Sequence, residues 1–231
     1  MNMSMNEDKI QPEKKFLSGQ MIDITAYIKN GMVHWPGEPE VIVRRFKSIS
    51  SGDMANVTSV SMSAHTATHA DSPLHFINNA PDASLLDLTA FLGPARVIEV
   101  KNTTVVTSGE LQNFHIDTGE RILFRTHNSD RNWPEENFLP DYVYLSTEAA
   151  RYLADKHIQT VGIDYLSVAG KENGEQVHKI LLESGITIIE GLYMPYVSAG
   201  KYELISLPMK IHGSDGAPVR AILKPLNKSG D

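Results

Sequence analysis

The chain has no cysteine among its 231 residues. Disulfides are therefore excluded, and so is any metal site built on thiolates. Long apolar runs are missing too. No stretch approaches the roughly 18 residues of a membrane span. Met1 to Gln20 is polar and charged, without the apolar core of a signal peptide. The expected location is the cytoplasm, with residues 1–19 as a mobile tail or a packing arm. Basic residues are in the minority: 21 Lys and Arg stand against 28 Asp and Glu, a formal net charge of -7. Phosphate backbones select a basic face, so nucleic acid is not the expected partner. A small molecule is, with neither membrane nor nucleic acid involved.

Hydrophobic residues make up 41% of the chain, enough for a substantial core. The length suits one large domain or two small ones. Met21 to Ile28 alternates apolar and polar residues and predicts a first strand. Trp35-Pro36-Gly37-Glu38-Pro39 reads as a turn. Val41 to Phe46, Asn56 to Ser63, Ala95 to Val100, Arg121 to Thr126, Tyr142 to Leu145, Thr160 to Asp164, Ile186 to Leu192, Glu203 to Pro208 and Pro218 to Lys224 read as further strands. Ser108 is expected to cap a short helix. Ser146 or Thr147 caps a second, running to about His157. Asn173 or Gly174 opens a third, closed by Gly185. There is no repeat and no linker. The pattern predicts a single α/β domain over residues 20–231, strand-rich, with a mixed sheet or barrel-like β core and a few flanking helices.

Against this background one stretch stands out. His65-Thr66-Ala67-Thr68-His69-Ala70-Asp71-Ser72-Pro73-Leu74-His75 holds three of the nine histidines and a carboxylate. Imidazole nitrogen and carboxylate oxygen are the ligands that borderline divalent cations prefer. The H-x-x-x-H spacing would suit a helix, but Thr66, Thr68, Ser72 and Pro73 disfavour one. A bent segment after a strand is expected to aim His65, His69 and Asp71 at one point, with His75 opposite. Glu190 is the second clue. A carboxylate inside the apolar strand ITIIEGL is costly unless paired or ligated, although an edge strand would present it to water equally well. His178 lies beside the apolar stripe of the third helix, and the Gly185 turn would return the chain so that His178 and Glu190 approach each other. His34, His115, His127, His157 and His212 are expected to be surface or structural. Asp164 is expected either to orient a ligand or to cap a turn.

These residues resemble the H-x-G-T-H-x-D-x-P-x-H signature of the cyclase-like metal-dependent hydrolases, the family of bacterial kynurenine formamidases and isatin hydrolases. Trp35-Pro36-Gly37 is similar to that family's early W-P-G turn, and Gly162-Ile163-Asp164-x-x-Ser167-Val168 to its G-I/V-D-x-x-S-V segment. Asp215-Gly216-Ala217-Pro218-Val219-Arg220 resembles its D-G-S-P-V-R. The resemblance covers residues 20–226. It implies a fold of the swivelling β/β/α type and a homodimer or homotetramer. It also implies one or two divalent ions per subunit, Zn²⁺ first and Mn²⁺ as the alternative. His65, His69 and Asp71 would hold the first ion, and Asp71, His178 and Glu190 the second. His75 would be the general acid/base, and Trp35 would line the substrate pocket. Ala67 departs from the family glycine, and a positive φ there would strain it. The implied reaction is hydrolysis of a small aryl formamide or amide such as N-formylkynurenine. Metal-bound hydroxide would attack, and His75 would carry the proton. A cyclic imide, lactam or lactone hydrolase and a non-catalytic metal-binding relative stay open.

Overall fold

The computed structural model describes residues 16–17, 21–102 and 104–226. Thirteen strands and three α-helices follow one another along them. The strands are β1 (Phe16–Leu17), β2 (Met21–Asp23), β3 (Ile42–Lys47), β4 (Val57–Ser61), β5 (His69–Asp71), β6 (Leu92–Glu99), β7 (Val105–Val106), β8 (Arg121–Arg125), β9 (Tyr144–Leu145), β10 (Thr160–Ile163), β11 (Thr187–Glu190), β12 (Gly200–Pro208) and β13 (Gly216–Pro225). The helices are α1 (Ser108–Leu111), α2 (Thr147–Asp155) and α3 (Gly174–Glu183).

The main sheet runs β1-β2-β13-β12-β6-β8-β10-β11-β5, and a further pairing of β13 with β5 closes the seven strands from β13 to β5 into a barrel. Pairing is parallel from β6 through β8 and β10 to β11 and antiparallel elsewhere around the ring. The strand-rich, barrel-like α/β domain expected from the sequence is therefore the one observed.

Because successive residues of a strand face opposite ways, each barrel strand feeds two cores. Val97, Leu123, Ile189, Leu204, Ala221 and Leu223 fill the barrel interior. Their neighbours Ile98, Ile122, Phe124, Val161, Ile163 and Ile188 face outward, where Leu111, Leu153, Val177 and Leu181 of the helices cover them. A third cluster, rich in aromatic rings, packs Ala67, Trp133, Leu139, Tyr142, Tyr165 and Leu166 at the barrel's end.

Several predicted boundaries shift. The first strand stops at Asp23, with only an isolated bridge at Thr25 beyond it. The cap of α1 is Thr107, whose side chain accepts from the Glu110 amide; Ser108 is the first helical residue. Ser146 caps α2 through the Ala149 amide. Gly185 ends α3 at φ +73°, as a left-handed stop should. β3 and β4 form a separate two-stranded arm. The expected tail over residues 1–19 lies outside the described residues, except that the backbone of Phe16–Leu17 pairs with β2.

Candidate metal centre

The outer face of the barrel carries the cluster. In β5, Ala70 points into the barrel, so His69 and Asp71 must both point out. Antiparallel pairing sets Glu190 of β11 directly opposite His69. Ile189 faces inward, so Glu190 emerges on the same side as His69. Helix α3 crosses over this face and lowers His178 onto it. His69, Asp71, His178 and Glu190 are all buried.

The segment before β5 is bent rather than helical. Ala67 sits at φ +58°, in the left-handed region, and is fully buried. The glycine that the resemblance places here would suit that φ, so alanine bears the strain anticipated from the sequence. Thr68 secures the bend: its hydroxyl donates to the Gly191 carbonyl at 2.5 Å and accepts from the Ala26 amide at 2.8 Å. Gly191, at φ +65°, passes so close that a Cβ there would lie 1.9 Å from the Ala67 carbonyl oxygen.

Two imidazoles have their tautomers set by backbone. His69 Nδ1 donates to the Ala67 carbonyl at 3.0 Å, and His178 Nδ1 donates to the Gly174 carbonyl at 2.7 Å. Each thereby turns an Nε2 toward the carboxylates. His69 Nε2 lies 3.2 Å from Glu190 Oε2 and 3.5 Å from Asp71 Oδ1. His178 Nε2 lies 3.1 Å from Glu190 Oε1 and 3.6 Å from Asp71 Oδ2. His65 Nδ1 is 3.0 Å from Asp71 Oδ1. The Val168 amide also donates to Glu190 Oε1, at 2.6 Å.

His75, in a single turn after Pro73, stacks on His65 with ring centroids 4.0 Å apart. Its side chain is 24% exposed, against 9% for His65 and 0% for His69, so it fronts the solvent side of the cluster. Trp35, Phe76 and Leu166 line one cleft with His65, His75, His178 and Glu190. Trp35 stands edge-on to Phe138 at 5.4 Å.

The electrostatics follow from crowding. Burial opposes charge on His65, but the Asp215 and Asp71 carboxylates outweigh it and lift the imidazole to about 11. His69 rises to about 9 against its burial, through Asp71 and Glu190. His178 rises too, through Glu190. Asp71 is held well below the usual carboxylate range despite burial, chiefly by His65 and His69. His75 alone among these imidazoles moves down, because burial dominates.

A divalent cation fits this donor set. His65 Nε2, His69 Nε2 and Asp71 Oδ2 are buried without a hydrogen-bond partner, which is costly unless something else ligates them. Ligand atoms of His65, His69 and Asp71 all lie within 4.8 Å of one another, as do those of Asp71, His75 and His178. The second grouping contains His75, whereas the resemblance pairs Asp71 and His178 with Glu190; Glu190 bridges His69 and His178.

Two residues escaped the sequence reading. Asp215 places Oδ2 3.3 Å from His65 Nε2 and 3.6 Å from His75 Nδ1; its position at the head of the D-G-x-P-V-R segment was the available signal. Phe76 stacks on His178 at 4.4 Å, and nothing in its sequence context marked it. Asp164 proves to be a capping residue. It accepts from the amides and hydroxyls of Thr126 and Ser129.

A closed mixed barrel with preset imidazoles and buried carboxylates on its outer face defines a barrel protein with a candidate divalent-cation site. Residues 22–169 match the family model described as "putative cyclase". The kynurenine formamidase of Bacillus mycoides (strain KBAB4) is 36% identical over 211 residues, covering 90% of this chain and 99% of its own. That of Bacillus thuringiensis (strain Al Hakam) is 35% identical with the same coverage. Among solved structures, a potential metal-dependent hydrolase with cyclase activity superposes with a TM-score of 0.78 at 32% identity, over 88% of this chain and 96% of that one. Isatin hydrolase A from Labrenzia aggregata shares the fold, with a TM-score of 0.76 at 21% identity, over 88% of this chain and 92% of its own. The chain belongs to the cyclase family.

Proposed function

We propose that this chain is a metal-dependent hydrolase of small aryl formamides or closely related amides, N-formylkynurenine being the model substrate. In this reading His65, His69 and Asp71 hold a first divalent cation. Asp71, His178 and Glu190 hold a second, His75 is the general acid/base and Trp35 receives the aryl ring. Zn²⁺ is the first choice and Mn²⁺ the second, since all the ligands are nitrogen or oxygen. The kynurenine formamidases at 35–36% identity support the substrate class.

The observation that carries the reading is the contrast among the histidines. His69 and His178 have Nδ1 committed to backbone and Nε2 aimed at buried carboxylates, as ligands must. His75 sits at the open side with its basicity lowered by burial. A bound divalent cation acidifies water and polarises a carbonyl oxygen. The protein's own part is positioning and proton transfer. Neutral at pH 7, His75 can take a proton from the attacking water and return it to the departing aryl nitrogen. The Trp35 indole, packed at right angles to Phe138, offers an apolar surface of the cleft to the ring.

The test is turnover of N-formylkynurenine and formanilide, lost on chelation and restored by Zn²⁺ or Mn²⁺. His75→Ala lowers kcat by about 10²–10⁴ with the metal content unchanged. Unchanged turnover in that variant refutes the role given to His75, and a metal-loaded wild type without turnover returns the chain to the non-catalytic reading. Isatin assayed alongside separates formamide from cyclic-imide hydrolysis.

The assembly in this reading is a homo-oligomer, dimer or tetramer, in the cytoplasm. Among the described residues no helix is long and apolar enough to cross a membrane. The β3–β4 arm supports the assembly. A lone two-stranded hairpin is marginal in water, and this one exposes Phe46, Ile49, Val57 and Val60. Arg44, Arg45 and Lys47 make it cationic on a chain of net charge -7, so a second copy complements it. Light scattering that returns 25.6 kDa, the mass of one chain, refutes this.

A further inference from the structure

The rim of the catalytic cleft holds two opposite charges that the proposed chemistry does not use. Glu38 and Lys171 line the same cleft as Trp35, His65, His75 and His178. Lys171 extends its ammonium over the Phe138 ring, 4.9 Å from the centroid. Phe138 in turn packs against Trp35. The cation therefore stands one ring away from the indole, at a fixed place on the cleft wall. Glu38 is held at the cleft by the Trp35-Pro36-Gly37-Glu38 turn, closed by the Glu38 amide donating to the Trp35 carbonyl at 3.1 Å, with Gly37 at φ +95°. Among the described residues neither side chain has an oppositely charged partner within 4.0 Å. The cleft thus presents a carboxylate and an ammonium, neither paired with an opposite charge, beside the Trp35 and Phe138 rings.

We propose that Glu38 and Lys171 form a subsite for a zwitterionic substituent. Lys171 takes the carboxylate and Glu38 the ammonium of an α-amino acid carried on the aryl ring whose formamide faces His75. This rests on the hydrolase reading above and deepens it, by assigning to two residues the recognition of the amino acid that the model substrate carries. The subsite acts on binding alone. It lies away from the reacting carbonyl and is expected to move KM and leave kcat in place.

Three formamides separate its parts: N-formylkynurenine carries both charges, formylkynuramine only the ammonium, and formanilide neither. Lys171→Gln raises KM about tenfold for N-formylkynurenine, in keeping with loss of a charge-assisted hydrogen bond, and leaves the other two unchanged. Glu38→Gln raises KM for both ammonium-bearing substrates and spares formanilide. In every case kcat stays within about twofold. A KM for N-formylkynurenine unmoved in both variants overturns the subsite, as does an equal rise with formanilide. Should the wild type turn over no formamide, the hydrolase reading fails by itself. Calorimetric binding of kynurenine to the Zn²⁺-loaded protein then decides the subsite: Kd about tenfold weaker in Lys171→Gln supports it, and equal Kd overturns it.

Discussion

Replacing Gly191 by alanine tests whether the cluster depends on one close backbone approach. Gly191 follows Glu190 directly, and its φ of +65° already costs an L-residue about 1–2 kcal/mol. The added Cβ would lie 1.9 Å from the Ala67 carbonyl oxygen and 2.5 Å from its carbon, where real Cβ contacts do not fall below 3.0 Å. The obstacle is backbone, so no rotamer change relieves it, and overpacking of this kind costs about 1–3 kcal/mol more. Together these give roughly 2–5 kcal/mol. For a chain of this size each kcal/mol shifts Tm by about 2–4 °C, so Tm should fall by roughly 4–20 °C. The displaced segment carries His65 and His69, so Zn²⁺ affinity should fall by about 10–100-fold, the usual effect of disturbing what orients a ligand. Gly213→Ala is the control. Its φ is +74° but nothing lies within 4 Å of the added carbon, so it should lose only the conformational part and keep its metal affinity. Thermal unfolding and a competitive zinc titration read both quantities. A Gly191→Ala protein within about 2 °C of wild type, with unaltered affinity, refutes the reasoning.

In the proposed site the imidazoles would make metal uptake a proton exchange. His65 at about 11 and His69 at about 9 stand above their ordinary 6.5, so both carry protons at pH 7 without metal. Zinc titrations in buffers of different ionisation enthalpy should show about two protons released per site. Because those pKa values are raised by folding, their contribution to the metal-free fold is complete below pH 6.5. It drains away as pH rises through 9 and then 11, so the chelated protein should lose Tm between pH 7 and 10; a flat profile contradicts the assignment. Ala67→Gly relieves about 1 kcal/mol of left-handed strain. It forfeits about 0.8 kcal/mol of buried methyl and about 0.5–1 kcal/mol of backbone entropy, so Tm should change by no more than about 3 °C. Glu190→Gln removes the carboxylate bridging His69 and His178, and should lower metal stoichiometry or affinity without reducing the population of folded protein at 25 °C. Metal analysis with circular dichroism checks both.

Much of this arrangement was legible along the chain, because the information is local. Polar alternation and β-branched runs located most of the strands, and Ser146 and Gly185 marked helix ends through their own hydrogen bonding and φ. The density of histidine from His65 to His75 pointed to a cluster of imidazoles and a carboxylate, and the structure brings their atoms together. The apolar surroundings of Glu190 allowed two readings, water or ligand. Boundaries slipped where neighbours compete for one task. Thr107 and Ser108 both offer a hydroxyl, and only the approach of the Glu110 amide selects Thr107. Likewise Thr25 to Ile28 alternates like a strand but finds no partner edge beyond Asp23 apart from the bridge at Thr25.

By itself the sequence determined which chemical groups are present, and that His178 lies beside the inward stripe of its helix; that His69 and Asp71 share one face came only with β5, where a bent segment was expected. Period and spacing are properties of the local backbone, and they survive any choice of topology. Only the tertiary structure decided which face meets which. The pairing of β11 with β5 sets Glu190 against His69, closure through β13 brings Gly216 and Asp215 up to His65, and the turn at Trp35 comes to rest across the cleft from α3. Those choices depend on hydrogen-bond registers between segments more than a hundred residues apart, and on a barrel that closes only when all seven strands agree.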